Sequence, residues 1–275
     1  MNSKITSGET KLIFEAKILN KYYVSFYQCQ DTGFIQTEEP YWLDDAYSSA
    51  ITKLDLGLVY RNLEISKNIN YLLSKYFDNT KIFLDYAGGY GLFTRIMRDK
   101  GYDFYHYDPY CQNLFAENFD LSTLGLPHSF ELVTAFEVLE HMADPLKEVA
   151  RIMQYSDSFL FSTELQPEVV FSKPEDWWYF SPETGQHVSF YNIKSLEYIA
   201  KKLGYNFYTD GTFLHLFTKR TFENSPFEQP KEPYYIKKIR RILEKYELRK
   251  VKPLETLLQK DWLYVKGLLS ANKQE

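Results

Sequence analysis

The residues Leu84-Asp85-Tyr86-Ala87-Gly88-Gly89-Tyr90-Gly91 join a short apolar run to an amphipathic stretch. Small residues at 87, 88, 89 and 91 let a backbone turn sharply and approach a ligand with no Cβ in the way. A Gly-x-Gly-x-x-Gly dinucleotide fingerprint does not fit, because an acid opens this loop and the small residues alternate as Ala87, Gly89 and Gly91. No Lys-Ser/Thr pair follows, so the loop is not a phosphate cradle either. Asp108 stands 23 residues after Asp85, a spacing that follows general nucleoside-binding logic. Further along, Glu137, Glu140 and His141 crowd into Phe136-Glu137-Val138-Leu139-Glu140-His141, and His187 stands in Gly185-Gln186-His187-Val188-Ser189-Phe190. Carboxylates and imidazoles are the groups that move protons near neutrality.

Positioning these side chains at one crevice takes a parallel sheet, whose carboxyl edge gathers the loops that follow its strands. The pattern from Lys81 supplies one, alternating short apolar runs with amphipathic helices. Lys81 to Tyr86 reads as a strand and Leu92 to Lys100 as a helix stopped by Gly101. Tyr102 to Tyr107 and Phe130 to Phe136 are further strands. Asp144-Pro145 is a helix cap followed by proline at the first helical position, opening a helix to about Gln154. Ser158 to Ser162 is the next strand, and Asn192 caps a helix that Gly204 ends. Asp210-Gly211 between Tyr205–Thr209 and Thr212–Thr218 predicts a two-residue hairpin.

Before this core, Tyr22 to Tyr27 and Phe34-Ile35 flank the turn-like Asp31-Thr32-Gly33, a small hairpin. Pro40 through Tyr76 reads as helical. After the core, Pro226, Pro230 and Pro233 mark a linker and Tyr234 to about Gly267 a charged helix. The division expected is an N-terminal hairpin and helical lid over 1–78, a cofactor-binding core over 79–222, and a linker with charged tail over 223–275.

A chain of 275 residues with 44% apolar and 25% charged residues is an ordinary folded protein, which excludes disordered and collagenous classes. No run has the length of a membrane span, and the first twenty residues lack a leader's apolar core. With two cysteines, Cys29 and Cys111, and no Cys-x-x-Cys, the expected compartment is the cytoplasm. The net charge of −5 hides an asymmetry: residues 231–275 hold twelve basic and six acidic side chains, leaving −11 on residues 1–230. An acidic body argues against a nucleic-acid partner. The basic run Lys237-Lys238-Ile239-Arg240-Arg241 fits a solvated helix face or an anionic partner.

Asp-x-Ala-x-Gly-x-Gly at 85–91 resembles motif I of class I S-adenosylmethionine-dependent methyltransferases, with Ala87 in place of the first glycine. Phe130 to Val133 and Phe136 to His141 resemble that family's fourth strand and post-strand motif, close to quinone-biosynthesis O-methyltransferases. The resemblance covers about 81–219. It implies an α/β, Rossmann-like sheet, mostly parallel with a C-terminal antiparallel hairpin and helices on both faces. It also implies S-adenosylmethionine held by Asp85, Ala87, Gly88, Gly89, Gly91, Asp108 and Phe136, with Asp108 on the ribose hydroxyls.

Glu137, Glu140, His141 and His187 together resemble the divalent-ion site of small-RNA 3′-terminal 2′-O-methyltransferases, and such ligands suit Mg²⁺, Mn²⁺ or Fe²⁺. The alternative is that Glu140 and His141 cap or brace the Asp144-Pro145 helix while His187 alone acts as base or hydrogen-bonds the acceptor; the catalytic residues expected are His187, His141 and Glu137. Trp177, Trp178 and Tyr179 are expected to line the acceptor pocket, and Tyr41, Trp42, Tyr47 and Arg61 to cover the cofactor or simply to pack on the sheet. The segment 22–51 resembles the zinc-ribbon start of sugar-modifying methyltransferases, but Cys29 alone supplies no zinc site. The expected reaction is methylation of a small hydroxylated acceptor, a sugar or nucleotide-sugar, on oxygen in preference to carbon. Its rivals are a metal-dependent RNA 2′-O-methyltransferase and a non-catalytic binding module.

Overall fold

The computed structural model describes residues 1–48, 51–52, 54–125, 129–227, 238–239 and 254–271. Its central sheet contains β4 (Ile82–Tyr86), β5 (Asp103–Tyr107), β6 (Val133–Phe136), β7 (Ser158–Ser162), β9 (Asn206–Thr209) and β10 (Leu214–Thr218), in the order β5-β4-β6-β7-β10-β9. The pairs from β5 to β7 are parallel and the two made by β10 are antiparallel, as the sequence pattern implies. Successive side chains of a strand face opposite ways, so Phe83 and Leu84 enter different cores. On one face Leu84, Val133, Phe159 and Phe217 pack against α4 (Pro145–Ile152) and α5 (Ile193–Leu203). On the other, Phe83, Phe104, Leu160 and Leu216 meet α2 (Leu58–Tyr76) and α3 (Leu92–Asp99).

Local signals fix the ends of these helices. Asp144 accepts from the Lys147 backbone N–H at 3.3 Å, Asn192 from that of Ser195 at 2.9 Å, and Gly204 closes α5 at φ +80°. The β9–β10 connection differs from the expected two-residue turn. Asp210 Oδ1 accepts the N–H groups of Thr212, Phe213 and Leu214, so its carboxylate organises a longer loop.

The expected N-terminal hairpin is present, β2 (Tyr22–Cys29) pairing antiparallel with β3 (Ile35–Thr37) across Asp31-Thr32-Gly33, and the structure adds a second hairpin before it. That second hairpin joins β1 (Thr10–Ile18) to β2, turning at Leu19 and Asn20, both at positive φ. On the far side of β3, β8 (Ser189–Phe190) completes a second, four-stranded sheet. The expected continuous helical stretch from Pro40 is instead two helices, α1 (Leu43–Ala46) and α2, and the described residues between them are in neither.

Among the described residues no helix is long and apolar enough to cross a membrane. Most of the expected tail helix, and Lys237, Arg240 and Arg241 of its basic run, lie outside the described residues. α6 (Leu258–Ala271) is described, and its Asp261 is no solvated charge: it is buried between Arg98, at 2.8 and 2.9 Å, and Arg95, at 3.0 Å.

Candidate active site

The loop between β4 and α3 has the shape its small residues permit. Ala87, Gly89 and Gly91 all take left-handed backbone, at φ +54°, +58° and +79°. Gly88 needs its missing side chain for another reason: a Cβ there would lie 2.5 Å from Asp85 Oδ2 and 2.8 Å from His106 Cδ2. Asp85 points inward beneath the loop, 2% exposed, and accepts from the Thr94 hydroxyl at 3.0 Å and the Thr134 hydroxyl at 3.2 Å. Burial pushes its carboxyl up to about 6, against the pull of His106. Asp85 therefore braces the loop rather than lining its open side.

Asp108 lies at the crevice. Its Oδ2 accepts from the Gly89 N–H at 2.9 Å, and its Oδ1 accepts from Tyr110 and Cys111 at 2.8 and 2.9 Å. One carboxylate thus fixes the glycine loop and the turn after β5, and one lone pair of Oδ2 stays open. Phe136 closes β6 with its ring against Phe93 at 4.9 Å.

The acid/base group gathers where β6 and the segment before β8 meet. Glu137 takes φ +56°, unusual for a non-glycine, and is held by Ser162, whose Oγ accepts from its N–H and donates to its Oε1, both at 2.8 Å. Burial, reinforced by Glu140, raises its carboxyl to about 8. Glu140 is fully buried; Tyr179 donates to its Oε1 at 2.6 Å, while Oε2 has no partner among the described residues. Burial lifts this carboxyl to about 7. The Arg61 guanidinium, locked to Asp55 at 2.8 and 3.1 Å, offsets the charge of both acids.

The two histidines are neutral for the same reason that the acids are weak. Burial lowers His141 to about 4, and burial together with His141 lowers His187 to about 3. Nδ1 of His187 lies 2.7 Å from the Tyr179 carbonyl, and Nδ1 of His141 lies 3.1 Å from the Gln186 carbonyl. A carbonyl only accepts, so each Nδ1 bears the proton and each Nε2 keeps a lone pair. Glu140, His141 and His187 each bring one ligand atom within 4.8 Å of the others. Two neutral imidazoles with tautomers fixed by backbone, beside an unpartnered buried carboxylate oxygen, fit a divalent cation. Glu137 stands outside that trio.

The second sheet carries part of this arrangement. Thr37 N–H donates to the Val188 carbonyl, Trp42 Nε1 to the Gly185 carbonyl at 2.8 Å, and Gln186 Nε2 to the Ala46 carbonyl at 2.9 Å, tying α1 to the loop bearing His187. Tyr47 then reaches across, its hydroxyl 2.9 Å from His141 Nδ1 and its ring stacked near Tyr110 at 6.2 Å. The expected pocket aromatics separate. Trp177 is buried among Phe171, Phe180 and Phe190 in a separate core packed on the four-stranded sheet, Trp178 is 73% exposed, and Tyr179 alone joins the site. Ser162, Gln186 and His106 carry no motif that marks them in the sequence.

Residues 59–209, more than half of the chain, match the family model described as a methyltransferase domain. No curated protein matches. Among solved structures the chain is similar to an O-methyltransferase family 2 protein from Planctomyces limnophilus in complex with apigenin, at 12% identity and TM-score 0.45, covering 60% of each chain. It is also similar to magnesium protoporphyrin IX methyltransferase from Synechocystis PCC 6803 with bound SAH, at 9% identity and TM-score 0.40, covering 64% of this chain and 90% of that one. A third is human N-acetylserotonin methyltransferase in complex with SAM, at 16% identity and TM-score 0.37, covering 66% of each. The chain belongs to the methyltransferase-domain family, and it spans about 60% of the length of the first of these structures.

Proposed function

We propose that the protein is a cytoplasmic enzyme that moves the methyl group of S-adenosylmethionine to a hydroxyl of a small acceptor, a sugar or nucleotide-sugar, with a divalent cation held by Glu140, His141 and His187. The observation that carries this reading is the pairing of two neutral imidazoles with the unpartnered, buried Glu140 Oε2. Mg²⁺, Mn²⁺ or Fe²⁺ bound there would lower the pKa of the acceptor hydroxyl.

Methyl transfer from a sulfonium is an in-line displacement, so the chain's work is placement and removal of one proton. The 85–91 loop and Asp108 hold the cofactor. Glu137, with its carboxyl near neutrality, is suited to receive the hydroxyl proton. Tyr47 and Arg61, from the 1–78 region, close the crevice as a lid and balance its negative charge. The −11 charge of residues 1–230 favours a small acceptor over an RNA end.

The test is methyl transfer from labelled cofactor to a panel of sugars and nucleotide-sugars, with and without a chelator. Activity lost on chelation and restored by Mn²⁺ supports the reading. Full activity in chelator would leave proton transfer to Glu137 and the histidines alone.

A further inference from the structure

We propose that His106 is an imidazolium buried beneath the glycine loop, and that its second ring proton sets the loop in its cofactor-binding shape. The inference rests on S-adenosylmethionine being the ligand of that loop, and it adds a positioning residue outside the motif.

His106 is 1% exposed and belongs to β5, directly beside Asp85 of β4 in the parallel register. Its Nε2 lies 2.9 Å from the Gly89 carbonyl and its Nδ1 lies 3.0 Å from Asp120 Oδ1. The carbonyl accepts only, so Nε2 must donate to it. A neutral ring would then aim a lone pair at Asp120. That contact could be saved only by protonating Asp120, but its Oδ1 already accepts from the Asn113 amide at 3.0 Å, and its side chain is one-third exposed. An Oδ1 that already takes an amide N–H acts as an acceptor, and Nδ1 is left to donate to it. Both ring nitrogens therefore carry protons.

The charges around the ring agree. Asp85 faces it from β4 and Asp120 from the start of the 3₁₀ turn Leu121–Leu124, while Asp108 stands two residues after His106, just beyond the end of β5. From α3, Thr94 bonds to Asp85 and brings no charge. A cation among three acids is favourable where it also donates two charge-assisted bonds. Gly88 sits directly on this ring, and Gly89, whose carbonyl the ring holds, gives its N–H to Asp108. His106 thus ties the underside of the loop to Asp120 while Asp108 ties its rim. Removing the proton leaves a lone pair against Asp120 or Gly89, the loop departs from this shape, and apparent cofactor affinity falls with the competent fraction.

The experiment measures S-adenosylhomocysteine affinity calorimetrically from about pH 5.5 to about pH 9.5, spanning the imidazole range, for the wild type and for H106Q. In parallel, ¹⁵N shifts of the His106 ring are recorded in the wild type. The expected result is doubly protonated ring nitrogens at the acid end and a wild-type affinity falling about tenfold or more as the ring loses its proton. H106Q is expected to bind more weakly throughout and to lack that fall, which separates His106 from the titration of Glu137. Wild-type shifts showing one bare ring nitrogen at the acid end, or an equal pH dependence in H106Q, would overturn the proposal. Absence of binding at every pH would instead defeat the cofactor assignment, with the ring shifts still reporting His106 itself.

Discussion

Tyr179 holds two partners of the candidate cation site at once: its hydroxyl donates to Glu140 Oε1 at 2.6 Å and its carbonyl accepts from His187 Nδ1 at 2.7 Å. Tyr179→Phe separates these roles, since the backbone bond survives and the hydroxyl is lost. Calorimetry with Mn²⁺ is expected to show about 10- to 100-fold weaker binding, the usual cost of losing a group that orients a ligand. Cofactor affinity should stay unchanged. A variant that binds Mn²⁺ as tightly as wild type removes Tyr179 from that role.

Asp108→Ala should weaken cofactor binding by about 1–3 kcal/mol, the scale of hydrogen bonds to a charged group. The side chain also orders the Gly89, Tyr110 and Cys111 N–H groups, so its loss loosens the loop as well. Thermal unfolding should remain cooperative, and unchanged affinity would place the ribose elsewhere.

Gly88→Ala brings a methyl group within 2.5 Å of Asp85 Oδ2 and 2.8 Å of His106 Cδ2, neither of which has room to retreat. The expected cost is about 1–3 kcal/mol of stability, read as a lower denaturation midpoint, together with loss of cofactor binding. A variant of wild-type stability and affinity would show that the loop does not rest on that ring and carboxylate.

The buried acids and imidazoles set opposite limits on stability. Glu137 and Glu140 rise from 4.5 to about 8 and about 7, so their favourable contribution is whole below pH 4.5 and fades as pH climbs through those values. His141 and His187 fall from 6.5 to about 4 and about 3, so theirs is whole above pH 6.5 and fades as pH drops through those values. Between pH 4.5 and 6.5 the two slopes oppose, and outside that window one acts alone. Thermal melts of metal-free protein should therefore fall on both sides, with Mn²⁺ restoring the alkaline side. A flat midpoint up to about pH 8.5 would contradict burial of the two carboxyls.

What the sequence disclosed was local. The caps at Asp144 and Asn192, the stop at Gly204 and the Asp85–Gly91 bend depend on neighbouring residues, and each lies where its own chemistry requires. The second sheet was legible only in its β2–β3 hairpin, because β8 is two residues long and pairs with a strand more than 150 positions away. Trp177 and Trp178 are alike in type, and only packing against Phe171 and Phe190 sends one inward. His106 reads as one more residue of an aromatic strand; its significance comes from Gly89 and Asp120, which only the fold brings to it.

Metal-assisted methylation of a hydroxyl is read out by mass spectrometry of a sugar and nucleotide-sugar panel incubated with the protein, S-adenosylmethionine carrying a ¹³C methyl group, and Mn²⁺. The expected product is heavier by one labelled methyl in place of a hydroxyl hydrogen, absent in chelator and strongly reduced in His187→Ala. A labelled methyl found on carbon, or the same yield of product in chelator, would contradict that reaction.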